Sequence, residues 1–265
     1  MTGGDFGECG GGRASGSARA ASFDRPTPVA IPSLGLLVKY GGDVTITEAQ
    51  TQRAVRDLLQ GQVPIPEVFG WTKDADQIFI YMSLMDGETL QDRWSAMSEV
   101  ERQAVCQELK HMAKAWRALK QDKYDRYVGS LDIQPLNDVL LAERPGLVGP
   151  FRSTDAVQQF HEACGIGIDG KEPIMFTHND LVPPNILLSQ GPNPRVQAII
   201  DWGQAGWYPA YWEYCKARWV RLRPEDFSDA MQEEWHTQYL PSILDPVDNE
   251  AYYYPWLYFV LSKGI

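Results

Sequence analysis

The sequence predicts an α+β protein in which a small strand-rich unit precedes a larger, mainly helical one. In the first unit, GLLVKYGG is an apolar strand, and the turn KDADQ joins two more strands, VPIPEVFGW and IFIYMSLM, into a hairpin. The second unit opens on SEVERQAVCQELKHMAKAWRAL, which has apolar residues at helical spacing behind a Ser98–Glu101 capping box. Segregated strands and helices of this kind favour two packed lobes.

Composition divides the chain further. Residues 1–25 are rich in Gly, Ala and Ser and predict a disordered tail. Residues 26–85 form the strand-rich lobe, in which TITEAQTQRAVRDLLQ is its helix, and residues 86–265 form the helical lobe. Within the second lobe, residues 124–170 are expected to be irregular, and the segment after Trp212 to be helical. The apolar run YYYPWLYFVL is shorter than a membrane span and is expected to lie in the core.

The overall composition narrows the classes of partner. The chain has 265 residues, of which 44% are hydrophobic, and its formal net charge is -11. Such a charge disfavours nucleic acid and anionic membranes as partners. The four cysteines are far apart and form no CxxC pair, which argues against a zinc site and fits a reducing, cytoplasmic compartment.

The chemistry-bearing motif lies in FTHNDLVPPNILL and VQAIIDWGQAG. Asp180 and Asn185 stand five positions apart before an aliphatic strand, and Asp201 ends the next strand in Asp-Trp-Gly. Phosphoryl transfer needs metal ions held against the phosphates and a carboxylate at the acceptor hydroxyl. Oxygen donors suit Mg²⁺. The pattern therefore predicts Asp180 as the general base, with Asn185 and Asp201 as metal ligands.

Plainer interpretations exist for each residue. Asp180 and Asn185 could cap a turn around Pro183-Pro184, as Asp and Asn often do. The joint pattern of spacing, flanking strands and Asp-x-Gly favours the metal-dependent site. For His178 we prefer the structural interpretation, in which a buried imidazole organises the loop.

Together with YMSLMDGETLQDRW and LLVKYG…EAQTQRAV, these motifs resemble the aminoglycoside phosphotransferase-like, or choline-kinase-like, branch of the protein-kinase-like fold, and most closely its fungal members. The resemblance spans roughly residues 34–218. It implies ATP, Mg²⁺ and a small-molecule hydroxyl acceptor. It also implies that Lys39 contacts phosphates and pairs with Glu48, and that the backbone of Ser83, Leu84 and Met85 binds adenine. Lys39 as a solvated strand end and Glu48 as part of a capping box are the alternatives.

Two departures from the kinase pattern bear on function. Asn179 stands where protein kinases have Arg, and the segment after Asp201 is short, so both features favour a small-molecule acceptor over a protein. A Gly-rich hairpin before Lys39 is missing, and residues 22–35 with their three prolines are not expected to form a tight hairpin. The first lobe is therefore expected to be truncated or degenerate. The alternative function is a catalytically impaired nucleotide-binding module of the same fold.

An acidic cluster lies beyond the motif and could attract a cationic acceptor, although a solvated helix face is the preferred interpretation. Its members are Glu225, Asp226, Asp229, Glu233 and Glu234.

Overall fold

The structure is a computed structural model that describes residues 26–42, 44–142 and 144–263, so the predicted tail at residues 1–25 lies outside the described residues. The first lobe contains a four-stranded antiparallel sheet with the order β1-β2-β4-β3. Its elements are β1 (Val29–Ile31), β2 (Leu36–Gly41), α1 (Ile46–Leu59), β3 (Val68–Asp74) and β4 (Gln77–Ser83). The strand, helix and hairpin predicted for this region are therefore present.

One expectation for this lobe was wrong. β1 and β2 form a tight antiparallel hairpin, although the three nearby prolines led us to expect none. Pro32 begins the short 3-10 turn, where a fixed φ and a missing N–H do no harm. Gly35 closes the turn at a φ of 58°, in the left-handed region that glycine enters without strain. The turn contains only this one glycine.

Helix α1 buries one face against the rest of the first lobe. Thr45 caps it by accepting the Glu48 N–H at 3.1 Å, so the capping-box interpretation of Thr45 is correct for that bond. The buried positions of α1 recur at helical spacing and include Glu48, Gln52, Val55 and Leu59. This burial brings the Glu48 carboxylate to the inner face of the sheet, beside β2.

The second lobe combines short strands with eight-to-nineteen-residue helices and shorter helical turns. Its strands are β5 (Glu88–Thr89), β6 (Tyr127–Val128), β7 (Phe151–Arg152), β8 (Ile174–Thr177), β9 (Ile186–Leu188), β10 (Val196–Ile199) and β11 (Gly206–Pro209). Its helices are α2 (Leu90–Arg93), α3 (Glu99–Arg117), α4 (Ala156–Cys164), α5 (Trp212–Trp219), α6 (Asp229–Glu234), α7 (Leu240–Ile243) and α8 (Tyr254–Ser262). The strands pair antiparallel as β5-β9-β10, β8-β11 and β6-β7.

The structure refines two expectations for this lobe. The region 124–170 is largely irregular, but it also contains helix α4. The late apolar run forms α8, whose Trp256, Phe259 and Val260 are buried, whereas Tyr258 and Leu261 remain exposed. Among the described residues, no helix combines the length and the apolarity needed to cross a membrane.

Aromatic packing joins the site segments to the core. Trp202, in the Asp-Trp-Gly motif, is fully buried and packs edge-on against Trp116 of α3 and against the His178 ring. The indole N–H of Trp202 donates to Ile199 O at 2.9 Å. Aromatic edges and faces in this geometry add stability beyond the area they bury. The loops after β8 and β10 are consequently fixed against the same helix.

Candidate phosphotransferase site

The first feature of the site is a lysine that contacts two carboxylates. Lys39 of β2 forms an ion pair with Glu48 of α1, as predicted from the resemblance, and its Nζ also lies 3.1 Å from Asp201 Oδ1. The Lys39 side chain is 17% exposed. Burial alone would lower the pKa of Lys39, but the charges of Asp201 and then Glu48 outweigh it and raise the pKa above its usual value. Lys39 therefore stays protonated and links the two lobes.

Gly203 makes room for this arrangement. A Cβ built on Gly203 would lie 3.0 Å from Glu48 Cγ. Because real Cβ atoms rarely approach so closely, a larger residue at this position of Asp-Trp-Gly would require the Glu48 side chain to shift by a few tenths of an ångström. The glycine of the motif thus permits the close approach of α1 to the loop after Asp201.

Asp180 lies on the loop after β8, and His178 shapes that loop. The Asp180 N–H donates to His178 Nδ1 at 3.1 Å, and His178 Nε2 donates to Ile200 O at 3.0 Å. Burial lowers the pKa of His178, which keeps the imidazole neutral, as these two bonds require. The structural role preferred for His178 matches its contacts.

The Asp180 carboxyl is partly buried and is suited to accept a proton. Burial raises its pKa to about 6; Lys216 opposes that rise and Asp201 adds to it. Asn185 Nδ2 donates to both Asp180 O at 2.9 Å and Asp180 Oδ2 at 3.1 Å. A carboxylate whose pKa lies near the working pH can take a proton and release it again.

Asn185 and Asp201 lie at the same end of the β9–β10 pair. The Ile200 N–H donates to Asn185 O at 3.0 Å, which places Asn185 beside the residue that precedes Asp201. Asn185 Nδ2 donates to Asp180, and its Oδ1 is the amide atom that would coordinate a cation. Within the described ranges, no three His, Cys, Asp or Glu side chains cluster as a complete metal site. One amide and one carboxylate fit Mg²⁺ that takes its remaining ligands from phosphates and water.

The predicted hinge connects β4 to the second lobe. The Ser83 N–H donates to Glu67 O at 2.8 Å, and the Leu84 N–H donates to Gly35 O, also at 2.8 Å. Because that Leu84 N–H is already bonded, an adenine ring would have to use the Leu84 carbonyl or the backbone of Met85. The assignment of Ser83, Leu84 and Met85 to adenine binding stays a prediction.

Sequence reasoning missed the buried carboxylate of Glu213. Glu213 Oε1 accepts the His178 N–H at 2.7 Å and the Asn179 N–H at 3.1 Å, while Oε2 accepts the Trp116 indole N–H at 3.2 Å. Arg117 lies 3.4 Å from the same carboxylate. The only signal in the sequence was an acidic residue inside the aromatic segment YWEYCKARW.

Sequence reasoning also missed a second buried polar group beneath the loop. It consists of Asp138, Asn179, Gln204 and Lys216, which are joined by hydrogen bonds. Asn179, which stands in the place of the kinase arginine, donates to Asp138 Oδ2 at 2.8 Å. A buried lysine and a buried aspartate are rare unless paired, but the two are far apart in sequence and carry no motif.

The acidic cluster is partly neutralised by neighbouring arginines. Arg223 lies 2.8 Å from Asp226 and 3.8 Å from Glu225, and Arg102 lies 3.1 Å from Glu234. Paired, largely exposed carboxylates of this kind favour the solvated-surface interpretation.

Comparison with known proteins supports the assignment of the fold. The family model "Phosphotransferase enzyme family" matches residues 40–248. A search of curated protein sequences found no match. Among solved structures, the apo form of a thermostable mutant of aminoglycoside phosphotransferase APH(4)-Ia aligns with a TM-score of 0.53 at 17% identity, covering 89% of this chain and 84% of that chain. Aminoglycoside phosphotransferase APH(3'')-Id from Streptomyces rimosus aligns with a TM-score of 0.53 at 16% identity, covering 90% and 92%.

The structural matches confirm the predicted α+β, protein-kinase-like two-lobe fold, and the family match confirms the predicted phosphotransferase class. The small-molecule acceptor stays a prediction. The closer resemblance to fungal members stays a prediction. Because the family model covers most of the sequence and includes Asp180, Asn185 and Asp201, the chain belongs to the phosphotransferase enzyme family.

Proposed function

We propose that this chain is an ATP- and Mg²⁺-dependent phosphotransferase that transfers the γ-phosphoryl group to a hydroxyl of a small molecule. The observation that carries the proposal is the contact of Lys39 with both Glu48 and Asp201. This contact joins the strand of the first lobe, its helix and the Asp-Trp-Gly loop of the second lobe. A phosphoryl-transfer site needs these three parts in register, because catalysis depends on positioning and charge.

Each residue of the proposed site has a role that follows from the chemistry of its side chain. Asp180 accepts the proton of the acceptor hydroxyl as its oxygen bonds to the γ-phosphorus and the bond to the bridging oxygen breaks. Lys39 donates to the phosphates and balances their charge, while Glu48 holds its ammonium in place. Asn185 and Asp201 would hold Mg²⁺, which supplies charge stabilisation at the phosphate oxygens. The hinge backbone around Met85 would orient the adenine ring.

Two features favour a small acceptor. Strand β11 begins five residues after Asp201, and helix α5 begins soon after β11 ends. This short connection leaves little chain for docking a peptide. Asn179 already bonds within the protein, to Asp138 and Gln204 O, and offers no cation to a phosphorylated loop. An APH(4)-Ia structure is a ternary complex with ADP and hygromycin B, and a hydroxyl-rich small molecule is the acceptor class we propose here. We place the enzyme in the cytoplasm, where ATP is available and free cysteines stay reduced.

The test begins with thermal shifts of the parent protein in ATP, GTP and Mg²⁺, followed by ATP turnover against a library of hydroxyl compounds. We expect Mg²⁺-dependent stabilisation by ATP and phosphorylation of at least one acceptor. Asp201→Ala should lose the Mg²⁺-dependent part of the stabilisation, whereas Asp57→Asn, an exposed change on α1, should keep it. Equal stabilisation of Asp201→Ala and the parent would remove Asp201 from the metal site.

A second candidate is a catalytically impaired nucleotide-binding module. It is favoured by the hairpin before Lys39, whose turn has one glycine and a proline rather than a Gly-rich run of N–H donors. We expect weak nucleotide affinity, in the high micromolar range, for this reason. Mg²⁺-dependent ATP binding with no product from any acceptor would select the module over the enzyme.

A further inference from the structure

Lys216 is a buried lysine with two polar partners. It lies on α5 and is 2% exposed. Its Nζ donates to Asp138 Oδ1 at 2.7 Å and to Gln204 Oε1 at 2.8 Å. Since the ammonium is enclosed by the protein, it is unable to reach a nucleotide or an acceptor. Any role in phosphoryl transfer has to act through its hydrogen-bonded neighbours or through the effect of its charge on Asp180.

These two neighbours come from segments that are bonded to the loop carrying Asp180, through Asn179. Gln204 follows Asp201 by three residues, and its Oε1 also accepts the Val139 N–H at 2.9 Å. Asp138 is fully buried, and its Oδ2 accepts the Trp212 indole N–H at 3.0 Å. Lys216 thereby joins the segment around Asp138 to the segment after Asp201.

Both segments converge on Asn179. Its Nδ2 donates to Asp138 Oδ2 at 2.8 Å and to Gln204 O at 3.2 Å. Asn179 has a φ of 64°, a left-handed conformation that costs free energy unless its surroundings hold it. The next residue is Asp180, so the side-chain bonds of Asn179 anchor the chain one residue before the proposed base.

Stability alone gives little reason for a charge pair here. Moving an ammonium and a carboxylate out of water is expensive, and apolar residues of similar volume are often as stable. The Lys216–Asp138 pair lies where three segments of the site meet. A positioning role explains that placement.

We propose that Lys216 is a positioning residue of the phosphotransferase: its ammonium holds Asp138 and Gln204 against Asn179 and thereby fixes the loop that carries Asp180. This inference rests on the proposed function for its catalytic consequence. Its structural consequence, which is how rigidly the loop is held, can be measured without any acceptor.

The experiment compares the parent with Lys216→Met and with the charge-balanced double variant Lys216→Met, Asp138→Asn. The single variant leaves a buried carboxylate without its cation and is expected to be destabilised. The double variant removes both charges, so it is expected to fold with a stability near that of the parent. Lys171→Met is the control, because Lys171 and its partner Asp169 are highly exposed.

Amide hydrogen exchange followed by mass spectrometry measures how often the backbone of these loops opens. In the double variant we expect exchange to rise by about tenfold in peptides covering residues 176–188 and 199–208, with no change in α3. With an acceptor from the library, kcat should fall by about 100-fold while the Kd for a non-hydrolysable ATP analogue with Mg²⁺ stays the same. A lost positioning contact affects the chemical step rather than nucleotide binding.

The outcomes separate the two proposals. Parent-like exchange in the double variant would overturn the role of Lys216, whether or not the parent is active. Raised exchange with an unchanged kcat would also overturn it, because the loop would then be held without consequence for the reaction. A parent that phosphorylates no acceptor would defeat the proposed function, and the exchange data would still decide whether Lys216 holds the loop.

Discussion

Replacing Asp180 by Asn should stabilise the folded protein while it lowers the rate of turnover by orders of magnitude. Burial raises the pKa of Asp180 to about 6, from its usual value of 3.8. The two values differ by about 2, and one pKa unit corresponds to about 1.4 kcal/mol, so ionising Asp180 at neutral pH costs the folded state about 3 kcal/mol. The carboxyl keeps some contact with solvent, which makes this figure an upper limit. We expect Asp180→Asn to gain about 1–3 kcal/mol at pH 7.

The pH dependence follows from the direction of the shift. A carboxyl whose folded pKa is raised destabilises the folded state above that pKa, where it is ionised in both states. As the pH falls from 6 towards 3.8, the folded protein takes up the proton first, and the penalty disappears. The advantage of Asp180→Asn should therefore be full at pH 7 and mostly lost near pH 4.

The assay is urea denaturation of metal-free and nucleotide-free protein at both pH values, paired with initial rates of acceptor phosphorylation. Rates should fall by about 100- to 10,000-fold, the usual contribution of a general base. Asp57→Asn, which removes an exposed carboxyl, should match the parent in both measurements. A destabilised Asp180→Asn at pH 7, or one with normal turnover, would refute the reasoning.

Three further outcomes are expected. Gly203→Ala should weaken binding of a Mg²⁺–ATP analogue by about tenfold in calorimetric titration, because its Cβ would displace Glu48, whereas Gly167→Ala, with no atom within 4 Å of the added carbon, should bind normally. Lys39→Met should lower the free energy of unfolding by about 3 kcal/mol in urea and remove nucleotide binding, since it removes the cation that contacts both Glu48 and Asp201. Unchanged nucleotide binding would exclude Lys39 from the site. Ser98→Ala should cost about 1 kcal/mol in the same urea assay by removing the capping box of α3, and a change in turnover would contradict its purely structural role.

Local patterns were enough to predict much of the first lobe and the motif. β2, α1 and the β3–β4 hairpin follow from apolar periodicity and turn residues, and α3 follows from its capping box. The sequence does not predict the tight β1–β2 hairpin, because the prolines of residues 22–35 lack N–H donors. Pro32 nevertheless begins the turn, a position at which proline is well tolerated. The lobe boundary between residues 85 and 86 stays a prediction.

The sequence by itself determined the order and the residue types of the proposed site residues Asp180, Asn185 and Asp201, because spacing within one loop or one strand is a local property. Lys39 is predicted from the resemblance to the family. Only the tertiary structure decided that Lys39 contacts Asp201 directly, 162 residues away. Only the tertiary structure showed that Glu213 and Lys216 lie beneath the loop that carries Asp180. Such contacts form when distant segments pack and exclude water, and single charged residues carry no periodicity that would reveal their partners beforehand.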